Sequence, residues 1–253
     1  MESWQVKKKF FPAVIFLFLA APGVFAQNFS MSAGAGGLLG GLFTRYNLDA
    51  SGNSMTINAK QQMNQFNWGF FAFFDATYGI FSVSFQNGIN EWSQPLSISG
   101  NVNPMNGKGW ESMLGLSLLG KYPFSLNERF TIFPLLGLEY QISLRQYRTD
   151  EDGRRYKRND GVDQNEMDKN GKALALEDWN SLFINLGGGL DFSLPRNFFL
   201  RGELLYGFRL MTPYEVKNLD LMKALSGDSS PKLSGLTSGP SLRLSVGCRF
   251  FER

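Results

Sequence analysis

Side-chain types alternate strictly over residues 130–144, and no other pattern in the chain limits the possible folds as much. Every even-numbered residue there is apolar apart from the hydroxyl of Tyr140, whereas the odd-numbered residues become polar along the stretch. Successive side chains of a β-strand point to opposite faces, so a period of two predicts one strand with one apolar face. Strands of soluble sheets are usually about 5–6 residues long, whereas a tilted strand needs about 9–11 residues to cross a bilayer. The pattern therefore favours a membrane-crossing strand.

The same alternation recurs along the chain and predicts eight strands, although the aromatic second and third strands leave their facing open. The predicted strands lie at about 29–36, 66–75, 78–92, 114–122, 130–144, 182–192, 198–210 and 242–250. Short turns at about 75–78, 123–128 and 194–197 alternate with long polar connections at about 45–65, 93–108, 146–177 and 211–239. This layout is typical of a membrane barrel with short turns on one side and long loops on the other. The predicted fold is all-β, an eight-stranded antiparallel transmembrane up-and-down β-barrel.

Aromatic residues collect at both ends of the predicted strands, as a bilayer with two interfaces selects. The short-turn ends carry Phe74, Tyr78, Tyr122, Phe130, Phe192, Phe198 and Phe250, and the long-loop ends carry Trp68, Trp92, Trp110 and Trp179. The alternative is a soluble β-sandwich or lipocalin-like barrel, whose apolar face would point inward and whose outer face would carry many Lys and Glu residues. The polar face here holds mainly Gly, Ser, Arg and acidic residues, which favours a narrow polar lumen.

The first 26 residues have the pattern of a secretory signal. Lys7, Lys8 and Lys9 precede an apolar run at 10–21, and a small residue, Ala26, ends the segment. A cleaved signal peptide is therefore expected at 1–26, followed by an outer-membrane β-barrel domain at 27–253. A single membrane anchor is the alternative, but the run is short for a spanning helix.

Composition excludes several kinds of chemistry. The chain has no histidine, the commonest general base and metal ligand. Its single cysteine, Cys248, excludes an internal disulfide and a cysteine-based zinc site. After Ala26 the basic and acidic residues nearly balance, so nothing supports nucleic-acid binding. We expect no cofactor and no enzymatic activity.

The polar faces of the last four strands bring charged residues to the predicted lumen. They are Glu139, Arg145, Asp191, Arg201, Glu203, Arg209, Arg243 and Arg249. The interior of an eight-stranded barrel is just wide enough for side chains to fill it, and buried charges need partners there. We expect a network of ion pairs that plugs the barrel. The alternative is a narrow path that favours anions, because arginine outnumbers the acids.

The charged connection at 147–178 contains acidic residues at the spacing of a calcium-binding loop. Glu166, Asp168, Asn170 and Glu177 occupy positions 1, 3, 5 and 12 of that spacing, and Gly171 occupies position 6. The first ligand is Glu where Asp is usual, and no helix pair is predicted to flank the loop. We expect a solvated surface loop, with a calcium site of low affinity as the alternative.

The pattern as a whole resembles the small eight-stranded outer-membrane barrels of diderm bacteria, of the OmpA, OmpX and OmpW types, and small spirochaete outer-membrane barrels. The resemblance covers about 27–250. Its most specific part is the last strand, where Leu242, Leu244, Val246, Cys248 and Phe250 resemble the insertion signal that the barrel-assembly machinery recognises. The chain departs from that signal by continuing through Phe251, Glu252 and Arg253.

The resemblance implies a location in the bacterial outer membrane and contact with its lipid. OmpW-type barrels are implicated in the passage of small hydrophobic molecules and OmpX-type barrels in adhesion. Outer-membrane barrel enzymes are similar to one another in needing an active-site histidine, which this chain lacks. We expect a non-enzymatic barrel that acts as a narrow channel for a small hydrophobic or anionic solute. The alternatives are adhesion to a surface partner through the long external loops, and a structural role in the envelope.

Overall fold

The structure is a computed structural model, and it describes residues 30–51, 56–93, 95–98, 101–103, 106–149, 155–158, 162–167, 173–175, 180–210 and 232–252. The predicted signal peptide lies outside the described residues. The strands are β1 (Ser30–Ser51), β2 (Thr56–Ala76), β3 (Gly79–Ser93), β4 (Leu96–Ile98), β5 (Asn101–Asn103), β6 (Asn106–Lys121), β7 (Phe124–Ser125), β8 (Phe130–Thr149), β9 (Arg155–Arg158), β10 (Val162–Met167), β11 (Ala173–Ala175), β12 (Ser181–Ser193), β13 (Phe198–Arg209) and β14 (Lys232–Glu252).

Eight long strands close into a ring. Along the ring, β1 is followed by β2, β3, β6, β8, β12, β13 and β14, and β14 pairs with β1 again. Every pairing in the ring is antiparallel and joins strands that follow one another in the chain, apart from the closing pair. Closure leaves no unpaired edge within the ring. The predicted eight-stranded up-and-down barrel is confirmed. Among the described residues, no helix has the length and apolar character needed to cross a membrane.

Several strands are longer than the alternation predicts, so the predicted polar connections are too long. β1 and β2 stay paired up to Ser51 and Thr56, which makes most of 45–65 a hairpin rather than a loop. β14 begins at Lys232, and the 93–108 connection contains the short paired strands β4 and β5. Backbone hydrogen bonds hold a ladder together whatever its side chains, whereas alternation marks only the part of a strand with one apolar face.

The ring also decides the facing of β2 and β3, which the sequence leaves open. On β2 the odd-numbered side chains of residues 65–75 point inward, and on β3 the even-numbered side chains of residues 80–88 do. Both strands therefore place aromatic rings outward. Phe71 and Phe73 nevertheless lie inside, each about 4% exposed. Because β2 and β3 carry apolar residues on both faces, only their pairing with the neighbouring strands of the ring determines which face is enclosed.

The outer surface carries an apolar belt, which we define as the exposed, outward-facing aliphatic and aromatic residues of the eight ring strands. Phe70 is 74% exposed, Leu136 is 63% exposed and Leu204 is 62% exposed. Ring contacts edge the belt at the short-turn end, with centroid distances of 6.2 Å for Phe74–Phe250, 6.0 Å for Tyr78–Tyr122, 5.0 Å for Tyr122–Phe124 and 4.9 Å for Phe130–Phe192. At the other end the contacts are 6.0 Å for Phe66–Trp68 and 5.1 Å for Tyr206–Phe208.

Candidate functional site

The first group of charges in the barrel interior lies toward the short-turn end. Arg201 donates from Nε to Asp191 Oδ1 at 2.6 Å and from Nη2 to Asp191 Oδ2 at 2.7 Å. Its Nη2 also donates to Asp75 Oδ2 at 2.5 Å, and Lys121 Nζ reaches the same oxygen at 2.7 Å. We call Asp75, Lys121, Asp191 and Arg201 the lower cluster. Bidentate pairing holds a guanidinium and a carboxylate in one plane, which fixes both side chains.

Three phenylalanine rings enclose the guanidinium of the lower cluster. The Cζ atom of Arg201 lies 4.9 Å from the ring centroid of Phe73, 5.0 Å from that of Phe199 and 5.1 Å from that of Phe133. The faces of aromatic rings attract cations, and they exclude water from the ion pairs. Gly189 makes room for this arrangement, because a Cβ atom there would lie 2.2 Å from the ring of Phe133.

The second group of charges, toward the long-loop end, is centred on Glu139. Arg243 Nη2 donates to Glu139 Oε2 at 2.6 Å, and Asn185 Nδ2 donates to the same oxygen at 3.2 Å. Gln141 and Gln86 donate to Oε1 at 2.8 and 3.1 Å. We call these five residues the upper cluster. Four donors converge on one carboxylate that is 5% exposed, so its charge is compensated without water.

Glu203 lies between the two clusters and is the least compensated of the buried charges. Its side chain is 2% exposed, and its Oε1 lies 3.9 Å from Nη1 of Arg201. Its Oε2 has no hydrogen-bond partner among the described residues. Arg243 is its direct partner in the β13–β14 register. The four buried carboxylates described in this region face three cations, and Glu203 is the carboxylate without a close cation of its own.

Apolar side chains fill the rest of the interior at the level of the lower cluster. The enclosed core consists of Leu38, Phe71, Phe73, Ile80, Leu119, Phe133, Leu135, Phe199 and Leu205. Leu119 and Phe199 are 0% exposed. An interior packed in this way leaves no open bore at that level.

Above the upper cluster, carboxamides line the interior. Gln65 Nε2 donates to Asn67 Oδ1 at 2.7 Å and also to Glu111 Oε1, and Gln146 Nε2 donates to Glu111 Oε2 at 3.4 Å. A cavity of about 40 Å³ lies between these amides and Glu139. It has room for a few water molecules.

The structure brings together five of the eight residues predicted for the lumen. Glu139, Asp191, Arg201, Glu203 and Arg243 are all buried in or between the two clusters. The remaining three lie elsewhere. Arg249 is half-buried near the short-turn end, where its Nη1 donates to Ser193 Oγ at 3.0 Å. Arg209 is half-buried toward the other end, with its Cζ 6.0 Å from the ring centroid of Tyr46.

The placement of Arg145 in the lumen is wrong, because its side chain is exposed on the outer surface. Ser112 pairs with Arg145 and Met113 pairs with Ser143, so Leu144 is an extra residue in β8. A β-bulge of this kind shifts the alternation by one position. Leu144 and Arg145 both face outward as a result, and Gln146 takes the inward position.

Several members of the two clusters do not follow from the sequence patterns. Asp75 and Lys121 were not among the candidates, although a carboxylate at the end of the aromatic run 70–74 is a signal that could have found Asp75. Gln86 was missed because the facing of β3 was open. Gln141 and Asn185 lie on the predicted polar faces. Because their side chains are neutral, however, the sequence does not indicate that they bind a carboxylate.

Two other groups of predicted residues are placed only in part. Leu242, Leu244, Val246 and Phe250 of the C-terminal strand are exposed on the belt, and Cys248 is half-buried on the same face. Of the calcium candidates, Asp168, Asn170 and Glu177 lie outside the described residues, and only the backbone of Glu166 is described, in β10. Within the described part of the chain, no group of three potential metal-ligating acidic, histidine or cysteine residues occurs.

No protein-family model matches the chain, and no curated protein matches it. Several solved structures align with it at low identity. Neisserial surface protein A aligns at 12% identity over 85% of this chain and 99% of its own, with a TM-score of 0.31. Ail, the attachment invasion locus protein of Yersinia pestis, was solved in complex with the heparin analogue sucrose octasulfate. It aligns at 13% identity over 88% of this chain and 98% of its own, with a TM-score of 0.29. The outer membrane protease OmpT of Escherichia coli aligns at 9% identity over 89% of this chain and 98% of its own, with a TM-score of 0.32. The strand pairing of the chain itself establishes its fold.

Proposed function

We propose that this protein is an integral β-barrel of a bacterial outer membrane, is not an enzyme, and presents a rigid sheet with its loops for interaction at the cell surface. The observation that carries the proposal is the combination of a filled interior with strands that continue beyond the apolar belt. A barrel with a filled interior holds the protein stably in the membrane. The paired strands that continue beyond the apolar belt form a rigid surface at the long-loop end.

The apolar belt supports the membrane location. A soluble barrel would enclose its aliphatic residues and expose its charges, whereas this barrel exposes many aliphatic side chains and buries several charged ones. Leu136 is 63% exposed, while Arg201 is 2% exposed. Water would penalise so much exposed apolar surface, and lipid would not. Closed barrels are the only sheets that satisfy every backbone group within a bilayer.

The C-terminal strand supports assembly in that membrane. Leu244 and Phe250 are each 59% exposed on the belt, and Val246 is 49% exposed. We expect the barrel-assembly machinery to recognise this outward apolar row during insertion. Export would require the segment 1–26 as a cleaved signal peptide.

The strands on one side of the ring support the interaction role. From the belt residue Phe43, β1 continues to Ser51, a rise of about 26 Å along the strand. Over this length β14, β1 and β2 remain paired, and β4 and β5 extend the sheet next to β2. The exposed outer face of β1 and β2 is polar, with Arg45, Asn47, Asp49, Asn58, Lys60, Gln62 and Asn64. A rigid polar sheet outside the bilayer is suited to contact with a surface partner.

Passage of a small hydrophobic or anionic solute is the second candidate. The cavity of about 40 Å³ above Glu139 favours it, since polar groups and space meet there. Below the cavity, however, a solute would have to displace Leu119 and Phe199, which are fully enclosed. The geometry therefore supports a plug better than a path.

A hairpin truncation tests the interaction role. Removing 48–59 and joining Asn47 to Lys60 by an Asn-Gly turn shortens β1 and β2 in register, because Leu48 pairs with Ala59. Cells that carry the protein should adhere to immobilised heparin, used as the probe, and truncation should abolish that adherence without preventing the heat-dependent gel shift of a folded barrel. The matched control replaces the turn at 194–197, at the opposite end of the barrel.

Planar-bilayer conductance separates the two candidates. The intact barrel should be silent. Two results together would favour transport over the interaction role. They are discrete openings that fade when Arg201 and Arg209 are neutralised, and adherence that is unchanged after truncation.

A further inference from the structure

A row of three polar residues crosses the lipid-facing wall of the barrel. Asn87, Ser112 and Arg145 are direct register partners on β3, β6 and β8. Ser112 Oγ donates a hydrogen bond to Asn87 Oδ1 at 2.8 Å. Ser112 is 4% exposed and Asn87 is half-buried, whereas Arg145 is exposed. The row therefore ends in an accessible guanidinium beside a fixed pair of polar groups.

Apolar side chains border this row on both sides along the strands. On the barrel-centre side lie Phe85, which is 44% exposed, and Leu144, which is 39% exposed. On the loop side lies Ile89, which is 51% exposed and pairs with Trp110. The row thus interrupts the outer part of the belt rather than belonging to the water-facing sheet above it.

The β-bulge at Leu144 is what brings Arg145 to this row. Without the extra residue, the alternation of β8 would turn the guanidinium into the interior. With it, the neutral Gln146 takes the inward position and donates to Glu111. The described residues give Arg145 no carboxylate partner. A guanidinium at a membrane edge without a counter-charge attracts an anion.

We propose that Arg145, Ser112 and Asn87 form a binding site for the phosphate group of a lipid headgroup at the outer edge of the apolar belt. The site rests on the proposed membrane location. Arg145 can donate two parallel N–H groups to phosphate oxygens. Asn87 keeps its Nδ2 donors, because only its Oδ1 is engaged by Ser112. Phe85 and Leu144, on the barrel-centre side of the row, lie where the first carbons of an acyl chain attached to that phosphate would pack.

Lipid retention by the purified protein tests this site. The protein is extracted from outer membranes in detergent, incubated separately with phosphatidylglycerol, lipid A and diacylglycerol, and weighed by native mass spectrometry. The wild-type barrel should retain one phosphatidylglycerol or lipid A molecule but no diacylglycerol, which lacks phosphate. Arg145→Gln should reduce retention about tenfold, as expected for loss of a charge-assisted pair. The matched control is Arg45→Gln, another exposed arginine on the outer surface, which should retain lipid normally.

A second variant and a competitor complete the test. Asn87→Asp places a negative charge in the row while keeping Arg145, and it should also reduce retention. Inorganic phosphate that displaces the lipid would show a site for free phosphate, whereas lipid that resists it would show a site for the headgroup; both outcomes keep the phosphate chemistry. Equal retention by wild type and both row variants, or equal retention of diacylglycerol, overturns the site. Failure of the wild-type protein to reach the outer membrane would instead overturn the proposed function.

Discussion

Arg201 and Asp191 lie directly opposite each other on β13 and β12, and their side chains form a bidentate pair inside the barrel at 2.6 and 2.7 Å. The same guanidinium reaches across the lumen to Asp75 on β2. One arginine therefore connects neighbouring and distant strands of the ring. A contact of this kind resists any sliding of the strands that would open the interior.

Removal of this guanidinium should destabilise the barrel strongly. Arg201→Met leaves Asp191 and Asp75 buried with Lys121 as the only close cation among the described residues, and we expect a loss of about 3–5 kcal/mol in the free energy of unfolding. The free energy of unfolding is measured by urea unfolding of the protein in lipid vesicles. Arg129→Met, at an exposed position in a short turn, should change stability by less than about 0.5 kcal/mol. Similar unfolding midpoints for the two variants would contradict the structural role of the lower cluster.

Adjacent glycines on β12 should respond differently to the same substitution. Gly189 faces inward, and an added Cβ atom would lie 2.2 Å from the ring of Phe133. Gly188 faces outward, and its Cβ atom would come no closer than 3.4 Å to a backbone oxygen. We expect Gly189→Ala to cost about 1–3 kcal/mol in the free energy of unfolding and Gly188→Ala to cost little. Equal costs, measured by urea unfolding, would mean that the ring of Phe133 can move aside.

A charge on the belt should impair insertion. Leu138 is 40% exposed and faces outward midway along the apolar part of β8. Leu138→Arg should cost about 2–4 kcal/mol near the bilayer midplane. The control is Asn64→Arg on the polar outer face beyond the belt, which should assemble normally. The fraction of folded barrel is measured by the heat-dependent gel shift, and normal assembly of Leu138→Arg would contradict the membrane-facing role of the belt.

Burial should determine how much an ion pair contributes to stability. Glu139 and Arg243 lie 2.6 Å apart inside the barrel, with side chains about 5% exposed, whereas Glu91 and Lys108 lie 2.9 Å apart with side chains more than 70% exposed. A double-mutant cycle with Gln and Met replacements should give a coupling energy of about 2–3 kcal/mol for the buried pair. The exposed pair should give about 0–1 kcal/mol. Equal coupling energies would indicate that water reaches Glu139.

The alternation of side-chain types is enough to predict the strand class, the ring size and the direction of most side chains. A period of two is a local property of the backbone, so the inward position of Glu139, Asp191 and Arg201 follows from their parity within one strand. The outward position of Leu242, Leu244 and Val246 follows in the same way. No knowledge of the strand partners is needed for either group.

Which of these residues meet depends on the closed ring and cannot be predicted from one strand alone. Arg201 and Asp75 are 126 positions apart, and Arg243 and Glu139 are 104 apart, so their pairing depends on ring closure and register. The position of Arg145 depended on a single bulge, because one extra residue at Leu144 reverses the facing of every residue beyond it. Parity is local, but register is set by hydrogen bonds between strands, and in this barrel the register separates a charge in the lumen from one on the outer surface.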